Sequence, residues 1–123
     1  MVVKYLLDTN ALIYLEAGKI ASHLAKGFYA YSVISEIELL SWPQMQADQE
    51  GVWRRILGTL YRVEIDSQVR ESAILLRRER KLKLPDALIV ASAMTLDAIL
   101  LTNDKQLLGF SGVRSQSLEL QHD

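Results

Sequence analysis

Four acidic residues in this 123-residue sequence stand where their carboxylates could converge. Asp8 and Asp104 each follow a short apolar run, whereas Glu38 and Asp86 each lie near the start of a segment with helical character. Carboxylates that approach one another repel, which raises their pKa values unless a cation neutralises them. Ligands that are all oxygen favour the hard cations Mg²⁺ and Mn²⁺. Such a centre suits phosphodiester hydrolysis, because the cation activates a water molecule and offsets charge on the leaving oxygen.

Each of these acids also has a purely structural interpretation. Asp8 could cap a following helix, and Asp104, in the sequence Thr-Asn-Asp-Lys, could be a plain turn residue. Ser35 and Glu38 have the spacing of a capping box, in which the glutamate would only bond back to the Ser35 amide. Asp86 follows a proline, and its charge would complement the dipole at a helix start. Spacing alone leaves both interpretations open.

The rest of the sequence removes several other chemistries. It has no cysteine, which excludes disulfides, thiolate metal sites and cysteine nucleophiles. His23 and His122 lack the spacing of metal ligands, and we assign them no role. The sequence has neither a phosphate-binding glycine-rich loop nor a serine nucleophile elbow. The formal net charge of -1 excludes a protein that holds nucleic acid by overall positive charge, although a local basic patch would still serve.

A candidate for such a patch lies shortly before Asp86. Its cations are Arg77, Arg78, Arg80, Lys81 and Lys83. The simpler interpretation is a solvated helix end, whose charges suit the dipole at a helix C-terminus. The functional interpretation is a phosphate-binding lip beside the acids, which would supply the local charge that the overall balance lacks.

The elements that must position these residues alternate between strand and helix. Apolar runs predict strands at residues 2–7, 29–34, 62–65 and 98–101, with a last one near 118–120. Helices are predicted at residues 11–17, 19–26, 35–41, 44–57, 66–81 and 85–96. This alternation indicates an α/β fold with a mainly parallel sheet covered on both faces. In such a sheet ligands bind beyond the carboxyl ends of strands, where the strand order reverses, so the acids should meet at one edge.

Length and composition bound the organisation of the chain. A chain of this size fits one compact domain, so we expect residues 1–123 to form a single unit. Asp8 comes too early to allow the apolar stretch of a signal peptide, and residues 87–101 are too few and too polar to span a bilayer. We therefore expect a soluble, cytoplasmic protein with no membrane contact. The absence of cysteine agrees with a reducing compartment.

Four stretches of the sequence, taken together, resemble the PIN-domain family, and within it the VapC-like toxins of bacterial and archaeal toxin–antitoxin pairs. The stretches are Leu-Leu-Asp-Thr-Asn at 6–10, Ser-Val-Ile-Ser-Glu-Ile-Glu-Leu at 32–39, Leu-Pro-Asp-Ala-Leu-Ile-Val-Ala at 84–91 and Leu-Thr-Asn-Asp at 101–104. They occur in the family's order and spacing, and the similarity covers essentially the whole chain. The resemblance implies a three-layer α/β/α endoribonuclease whose acidic site depends on Mg²⁺ or Mn²⁺ and cleaves RNA.

The same resemblance assigns roles to individual residues. Three acids match the family's most regular positions and one matches a more variable fourth position, so the catalytic and metal-binding candidates are Asp8, Glu38, Asp86 and Asp104. Asn10 and Thr102 match polar positions that line or brace the site. At residues 105–107 the sequence reads Lys-Gln-Leu, a departure from the Asp-Phe that the family often carries there.

Glu36 competes with Glu38 for the second acidic position. The family's acid usually precedes a leucine and follows a serine or threonine by three residues, which selects Glu38. Residues two apart on a helix do not share a face, so Glu36 should point elsewhere.

The resemblance also implies protein partners, namely a small cognate antitoxin with an apolar helical segment and a second copy of the chain in a homodimer. The early segments carry more apolar side chains than two short helices easily bury, among them Leu12, Ile13, Leu15, Ile20 and Leu24. Together with Trp42 and Trp53, these side chains predict a groove for an amphipathic partner helix, and the alternative is that they complete the core or a homodimer contact.

Two other classes of function stay open from the sequence. One is a phosphoryl-transfer enzyme of the haloacid-dehalogenase type that uses Asp8 as nucleophile, although such enzymes need an acid two residues later, where Asn10 stands. The other is a receiver-like or protein-binding module whose acids only cap helices, although receivers carry paired acids after the first strand and Leu7-Asp8 is not such a pair. RNA cleavage that requires a metal would separate the nuclease from both.

Overall fold

A five-stranded sheet forms the middle layer of the computed structural model, which describes residues 2–121. Its strands are β1 (Lys4–Leu7), β2 (Phe28–Ser32), β3 (Tyr61–Val63), β4 (Ile99–Leu101) and β5 (Ser115–Gln116). Neighbouring strands are all parallel, in the order β3-β2-β1-β4-β5. The mainly parallel sheet that the sequence predicts is therefore confirmed.

Helices cover both faces of this sheet. Within the described residues they are α1 (Thr9–Glu16), α2 (Val33–Leu40), α3 (Ala47–Gly58), α4 (Ser67–Arg80), α5 (Leu84–Leu96) and α6 (Lys105–Leu108). Asp8, Asp66 and Asp104 cap three of them, because each side chain accepts a backbone amide that has no partner in the first helical turn. Pro85 lies in the first turn of α5, where its missing amide removes no helical hydrogen bond. None of the helices in this part of the chain is long and apolar enough to cross a membrane.

Two apolar cores lie on opposite faces of the sheet. Alternate side chains of a strand point to opposite faces, so Leu6 packs with α4 and α5 while Leu7 packs with α1, α2 and α3. Leu100 and Leu101 divide in the same way on β4. Residues 87–93 of α5 are all buried, as expected for a helix that is apolar on nearly every side. The result is the predicted three-layer α/β/α arrangement.

The strand order reverses next to β1, at the centre of the sheet. From β1 the chain adds β2 and then β3 on one side, and it returns to place β4 on the other side. Beyond the carboxyl ends of β1 and β4 the connections therefore diverge and leave a crevice, which is the usual ligand position in an open α/β sheet. Asp8 and residues 102–104 follow these two strands directly.

Residues 19–26, which the sequence analysis predicts as a helix, do not form one. Ile20 instead pairs with Leu120 in an isolated antiparallel bridge, and this bridge replaces the strand predicted at residues 118–120. Gly27 follows this segment directly. A Cβ atom there would lie 2.6 Å from the carbonyl oxygen of Val3, so glycine is the residue that lets the chain approach β1 this closely.

The predicted groove for a partner helix is wrong at two of its residues. Leu12 is 0% exposed and Trp53 is 6% exposed, and both belong to the core beneath α1, α2 and α3. The sheet covers more of α1 than the sequence predicts, because Leu7 and Leu101 form an apolar surface beneath it. Trp42, in contrast, is 52% exposed.

Candidate active site

Asp8 lies at the reversal of strand order and is held by contacts with both neighbouring segments. Its Oδ1 atom accepts the Ala11 amide at 2.7 Å, and its own amide donates to the Leu101 carbonyl at 3.2 Å. The helix-cap interpretation of Asp8 is therefore confirmed. It does not compete with a role in a site, because the cap fixes the orientation of a carboxylate that sits where α/β sheets bind ligands.

The ionised form of Asp8 is disfavoured by its surroundings. Burial is the largest cause that raises the pKa of its carboxyl above the ordinary value. Hydrogen bonding to the Thr102 hydroxyl and the Ala11 amide lowers the pKa, but the negative charges of Asp104 and Asp86 raise it further. The net shift is upward, with burial as the main cause and the neighbouring acids as smaller ones.

Asp86, in the first turn of α5, is half-buried and interacts with the same group of acids. Burial is again the largest cause that raises its pKa, followed by the charge of Asp104. Lys83 lowers the pKa of Asp86, and Glu38 raises it. The three aspartates, from segments that are distant in sequence, therefore lie within electrostatic reach of one another, and Glu38 lies within reach of Asp86. We call Asp8, Glu38, Asp86 and Asp104 the acidic rim.

Glu38 is oriented by a chain of two hydroxyl groups. The Thr9 hydroxyl donates to Glu38 Oε1 at 2.8 Å and lies 2.8 Å from Ser35 Oγ. Because the Thr9 hydroxyl has a single proton, the Ser35 hydroxyl is the donor to Thr9. The capping box proposed between Ser35 and Glu38 is not formed, since α2 begins at Val33 with Ser32 as its cap. Sequence reasoning missed the role of Thr9.

Glu36 faces a different region, as the spacing on α2 predicts. It accepts a hydrogen bond from the Tyr31 hydroxyl at 3.0 Å, and Arg62 Nη1 lies 3.4 Å from the same oxygen. Burial, together with this hydrogen bond and the charge of Glu36, raises the pKa of Tyr31 to about 12. Arg54 lines the same depression and pairs with Glu50 at 2.8 Å. We call Tyr31, Glu36, Arg54 and Arg62 the ion-paired patch.

Asp104 and Thr102 form a small unit after β4. Asp104 Oδ1 accepts the Gln106 amide at 2.9 Å and caps α6, while the Asp104 amide donates to Thr102 Oγ1 at 3.1 Å. Thr102 is fully buried, so it can brace Asp104 and Asp8 together. Asp104 itself is exposed, and its charge acts on the two other aspartates of the rim.

Two asparagines near the rim behave differently. Asn10 is exposed on α1, and its side chain makes no hydrogen bond to any residue in 2–121. Asn103, which the sequence analysis did not single out, uses its side-chain amide to bond both backbone groups of Leu118, at 3.1 Å and 2.7 Å. Asn103 thereby fixes the C-terminal segment beside the loop that carries Asp104.

The donor set of the rim fits a hard divalent cation, although the side chains are not drawn together as a ligand cluster. Within residues 2–121 no group of three or more acidic or histidine side chains has the spacing to hold a metal ion. All four side chains of the rim offer carboxylate oxygens. In the same part of the chain none of them forms an ion pair with an arginine or lysine. Their charge is therefore available to a cation from solution.

A family model described as PIN domain matches residues 5–112, a span that includes the whole acidic rim. Comparison with curated protein sequences gave no significant match.

Several solved structures resemble the chain over nearly its whole length. A toxin–antitoxin complex from Klebsiella pneumoniae contains a chain that is 35% identical, with a TM-score of 0.73, over 89% of this chain and 94% of that one. A VapBC2 structure from Rickettsia felis, bound to a promoter DNA fragment, is 19% identical with a TM-score of 0.79, over 95% and 100%. A DNA-bound VapBC from Salmonella typhimurium is 21% identical with a TM-score of 0.72, over 94% and 98%. At these last two identities the likeness shows the fold alone.

Proposed function

The chain belongs to the PIN-domain family, and from that premise we propose that it is a Mg²⁺- or Mn²⁺-dependent endoribonuclease, the toxin of a toxin–antitoxin pair. Nuclease activity is general to this family. The observation that carries the proposal is that Asp8, Asp86 and Asp104, from three separate segments, lie close enough for the charge of Asp104 to raise the pKa of both other acids. The alternative of a haloacid-dehalogenase-type enzyme is not supported, because Asn10 stands where such enzymes need a second carboxylate.

In this proposal Asp8 and Asp86 hold the cation, with Glu38 and Asp104 completing its oxygen surroundings. When bound, Mg²⁺ or Mn²⁺ supplies an acidified water and neutralises charge on the phosphate and the leaving oxygen. The protein supplies orientation. The caps on α1 and α6 fix Asp8 and Asp104, and the Thr9 hydroxyl holds one oxygen of Glu38.

The polar neighbours of the rim have supporting roles in the same proposal. Ser35 keeps the Thr9 hydroxyl turned toward Oε1 of Glu38. The other carboxylate oxygen of Glu38 accepts no hydrogen bond from the described residues. Thr102 keeps Asp8 and Asp104 adjacent. Asn10 is exposed and stands two residues after Asp8, so we assign it to substrate contact rather than to bracing the site.

A protein inhibitor and a second copy of the chain are also part of the proposal. The Klebsiella pneumoniae relative is described as a toxin–antitoxin complex, and its 35% identity is the support for a cognate antitoxin here. The antitoxin contact belongs to exposed apolar side chains, and Trp42 and Ile37 are 52% and 54% exposed. For the homodimer we assign the exposed Leu75 and Met94 on α4 and α5. A cytoplasmic location completes the proposal, because RNA and an inhibitor made in the same cell meet the toxin there.

The direct test is cleavage of cellular RNA by the purified protein with Mg²⁺, with Mn²⁺ and with a chelator. Wild type should cleave only with a metal, and Asp8→Asn should not cleave, since asparagine keeps the cap on α1 but removes the charge. Metal-independent cleavage, or equal cleavage by Asp8→Asn, would contradict the proposal. Co-purification of the native operon tests the partner. Trp42→Asp should release it from a folded toxin, and full retention would place the contact elsewhere.

A further inference from the structure

The cations at the junction of α4 and α5, between residues 77 and 83, have no ion-pair partner among residues 2–121, unlike most arginines elsewhere in that part of the chain. Outside the junction, four arginines form ion pairs with acidic side chains, and they are Arg54, Arg62, Arg70 and Arg114. Within residues 2–121, no acidic side chain pairs with any cation of the junction. Arg80 is engaged otherwise, because its guanidinium lies 5.2 Å from the centre of the Phe110 ring. The remaining exposed cations, which we call the basic lip, are Arg77, Arg78, Lys81 and Lys83.

Lys83 connects the basic lip to the acidic rim. Lys83 is the cap residue of α5, and its carbonyl accepts the Ala87 amide at 2.8 Å. Asp86 lies in the first turn of α5, three residues after Lys83. The charge of Lys83 lowers the pKa of Asp86, so the two groups are within electrostatic reach. They do not form an ion pair, which leaves the lysine available to another anion.

Lys81 holds an unusual backbone conformation at this turn. It ends α4 with φ 58° and ψ 29°, in the left-handed region where a residue with a Cβ atom is strained and glycine is not. Glycine is the common residue at such a helix end. Backbone strain of this kind clusters at functional sites, and here the side chain contributes an exposed positive charge two residues before Lys83.

We propose that the basic lip binds the phosphates of the RNA strand that flank the phosphate placed at the acidic rim. This inference rests on the proposed ribonuclease function. A rim of four carboxylates repels a polyanion, and the net charge of -1 provides no general attraction. Unpaired cations beside the rim offset that repulsion and bind the RNA backbone without regard to base sequence. An acidic segment of a protein partner is the competing occupant, and the test separates the two.

The test compares two charge-matched double variants in an Asp8→Asn background, which should bind RNA without cutting it. The lip variant is Lys81→Gln with Lys83→Gln. The control is Lys4→Gln with Lys26→Gln, whose exposed lysines lie at the amino ends of β1 and β2, the opposite edge of the sheet. Binding of labelled single-stranded RNA of mixed sequence is measured between about 50 and 200 mM salt, and retention of the protein partner is measured by co-purification of the native operon.

The lip variant should bind RNA about tenfold more weakly, and the slope of log affinity against log salt should become shallower by about 1.4, or about 0.7 for each cation lost. The control should leave both quantities close to those of the parent. Equal losses in both variants, or no loss in the lip variant, would overturn the proposal. Loss of the protein partner with unchanged RNA affinity would assign the lip to that partner instead.

Lys81→Gly separates binding from folding. Relief of the left-handed strain should raise the melting temperature by about 3 °C, while RNA affinity falls about threefold. A fall in affinity accompanied by a lower melting temperature would show a structural role and contradict the proposal. Metal-dependent cleavage by wild type is measured in parallel. If wild type cleaves RNA and the lip variant binds normally, the lip alone is refuted, whereas failure of wild type to cleave refutes the ribonuclease.

Discussion

The acidic rim and the ion-paired patch both draw on α2 and on segments next to the sheet, yet they treat their acids in opposite ways. In the patch, Glu36 accepts the Tyr31 hydroxyl and has Arg62 beside it. In the rim, Asp8 and Asp86 have raised pKa values, because burial and neighbouring acids act on them without an ion-pair partner among the described residues. An acid paired with an arginine is already satisfied, whereas an unpaired group of acids retains its affinity for a cation.

Helix α2 presents this difference within one turn. Glu36 and Glu38 have the same chemistry and stand two residues apart, so they lie on different faces of the helix. One faces the hydroxyl and guanidinium of the patch, and the other accepts only the Thr9 hydroxyl. The surroundings of a carboxylate, rather than its local sequence, decide whether it serves the fold or a site.

The largest effect should come from removing a charge of the rim. Asp86→Asn should lower RNA cleavage on the order of 10³-fold, because it removes a proposed cation ligand while keeping the shape of the side chain. Asp97→Asn is the matched control at the other end of α5, where Arg114 lies 3.2 Å from Oδ1 of Asp97. Cleavage by the control should stay within about twofold of wild type, since exposed ion pairs contribute little. Similar losses of RNA cleavage in both variants would contradict the distinction between unpaired acids of the rim and ion-paired acids elsewhere.

Cation binding should stabilise the rim and leave the patch unaffected. At about one hundred times the dissociation constant, Mg²⁺ or Mn²⁺ should add about 2.7 kcal/mol to the free energy of unfolding, which a melting curve detects easily. Asp8→Asn should reduce this gain, and Glu36→Gln should preserve it. Absence of any shift for wild type at millimolar metal and neutral pH would mean that the rim does not bind a cation.

The pH dependence of stability should also differ between wild type and Asp8→Asn when a chelator is present. Asp8 has a pKa above its ordinary value of 3.8, so the folded protein holds this proton more tightly than the unfolded chain does. The contribution of Asp8 to stability is therefore fully present below the unfolded pKa and is lost as pH rises through the folded pKa. Metal-free Asp8→Asn should melt a few degrees above wild type at pH 7, and the gap should close on acidification. A gap that widens toward low pH would give the opposite sign for the shift.

The smallest effect should come from the patch itself. Arg62→Gln removes the partner of Glu36 and Glu64, but the arginine is about half exposed. Exposed pairs of this kind contribute little to stability, so the melting temperature should stay within a few degrees of that of wild type. Cleavage of RNA should be unchanged. A large loss of RNA cleavage in an Arg62→Gln variant that is as stable as wild type would show that the patch participates in the reaction.

Local patterns in the sequence predict the elements that depend on local physics. The Asp66 cap and the spacing of Val69, Ala73 and Leu76 predict α4, and all three apolar residues are buried. The segment at residues 19–26 is different, because its conformation depends on a bridge to Leu120, a hundred residues away. No local pattern contains that contact.

The candidate site likewise has some features that the sequence predicts and others that depend on contacts distant in sequence. The rule for ligand positions in parallel sheets is enough to bring Asp8 and Asp104 to one edge. The Thr9 hydroxyl contacts Ser35 and Glu38 across 26 and 29 residues of sequence, so its role could not be read from spacing. One signal was present in Ser32, a better cap for α2 than Ser35 once the strand is ended at that residue.

The paired substitution of the two glutamates on α2 tests the central claim most directly. RNA cleavage with Mn²⁺ is measured for Glu38→Gln and Glu36→Gln, and melting curves establish that both variants are folded. Both glutamines can still accept the hydrogen bond that the native residue accepts, so only the charge is removed. The account predicts that Glu38→Gln loses cleavage on the order of a hundredfold or more, while Glu36→Gln stays near wild type. Equal cleavage by the two variants, or loss only in Glu36→Gln, would contradict it.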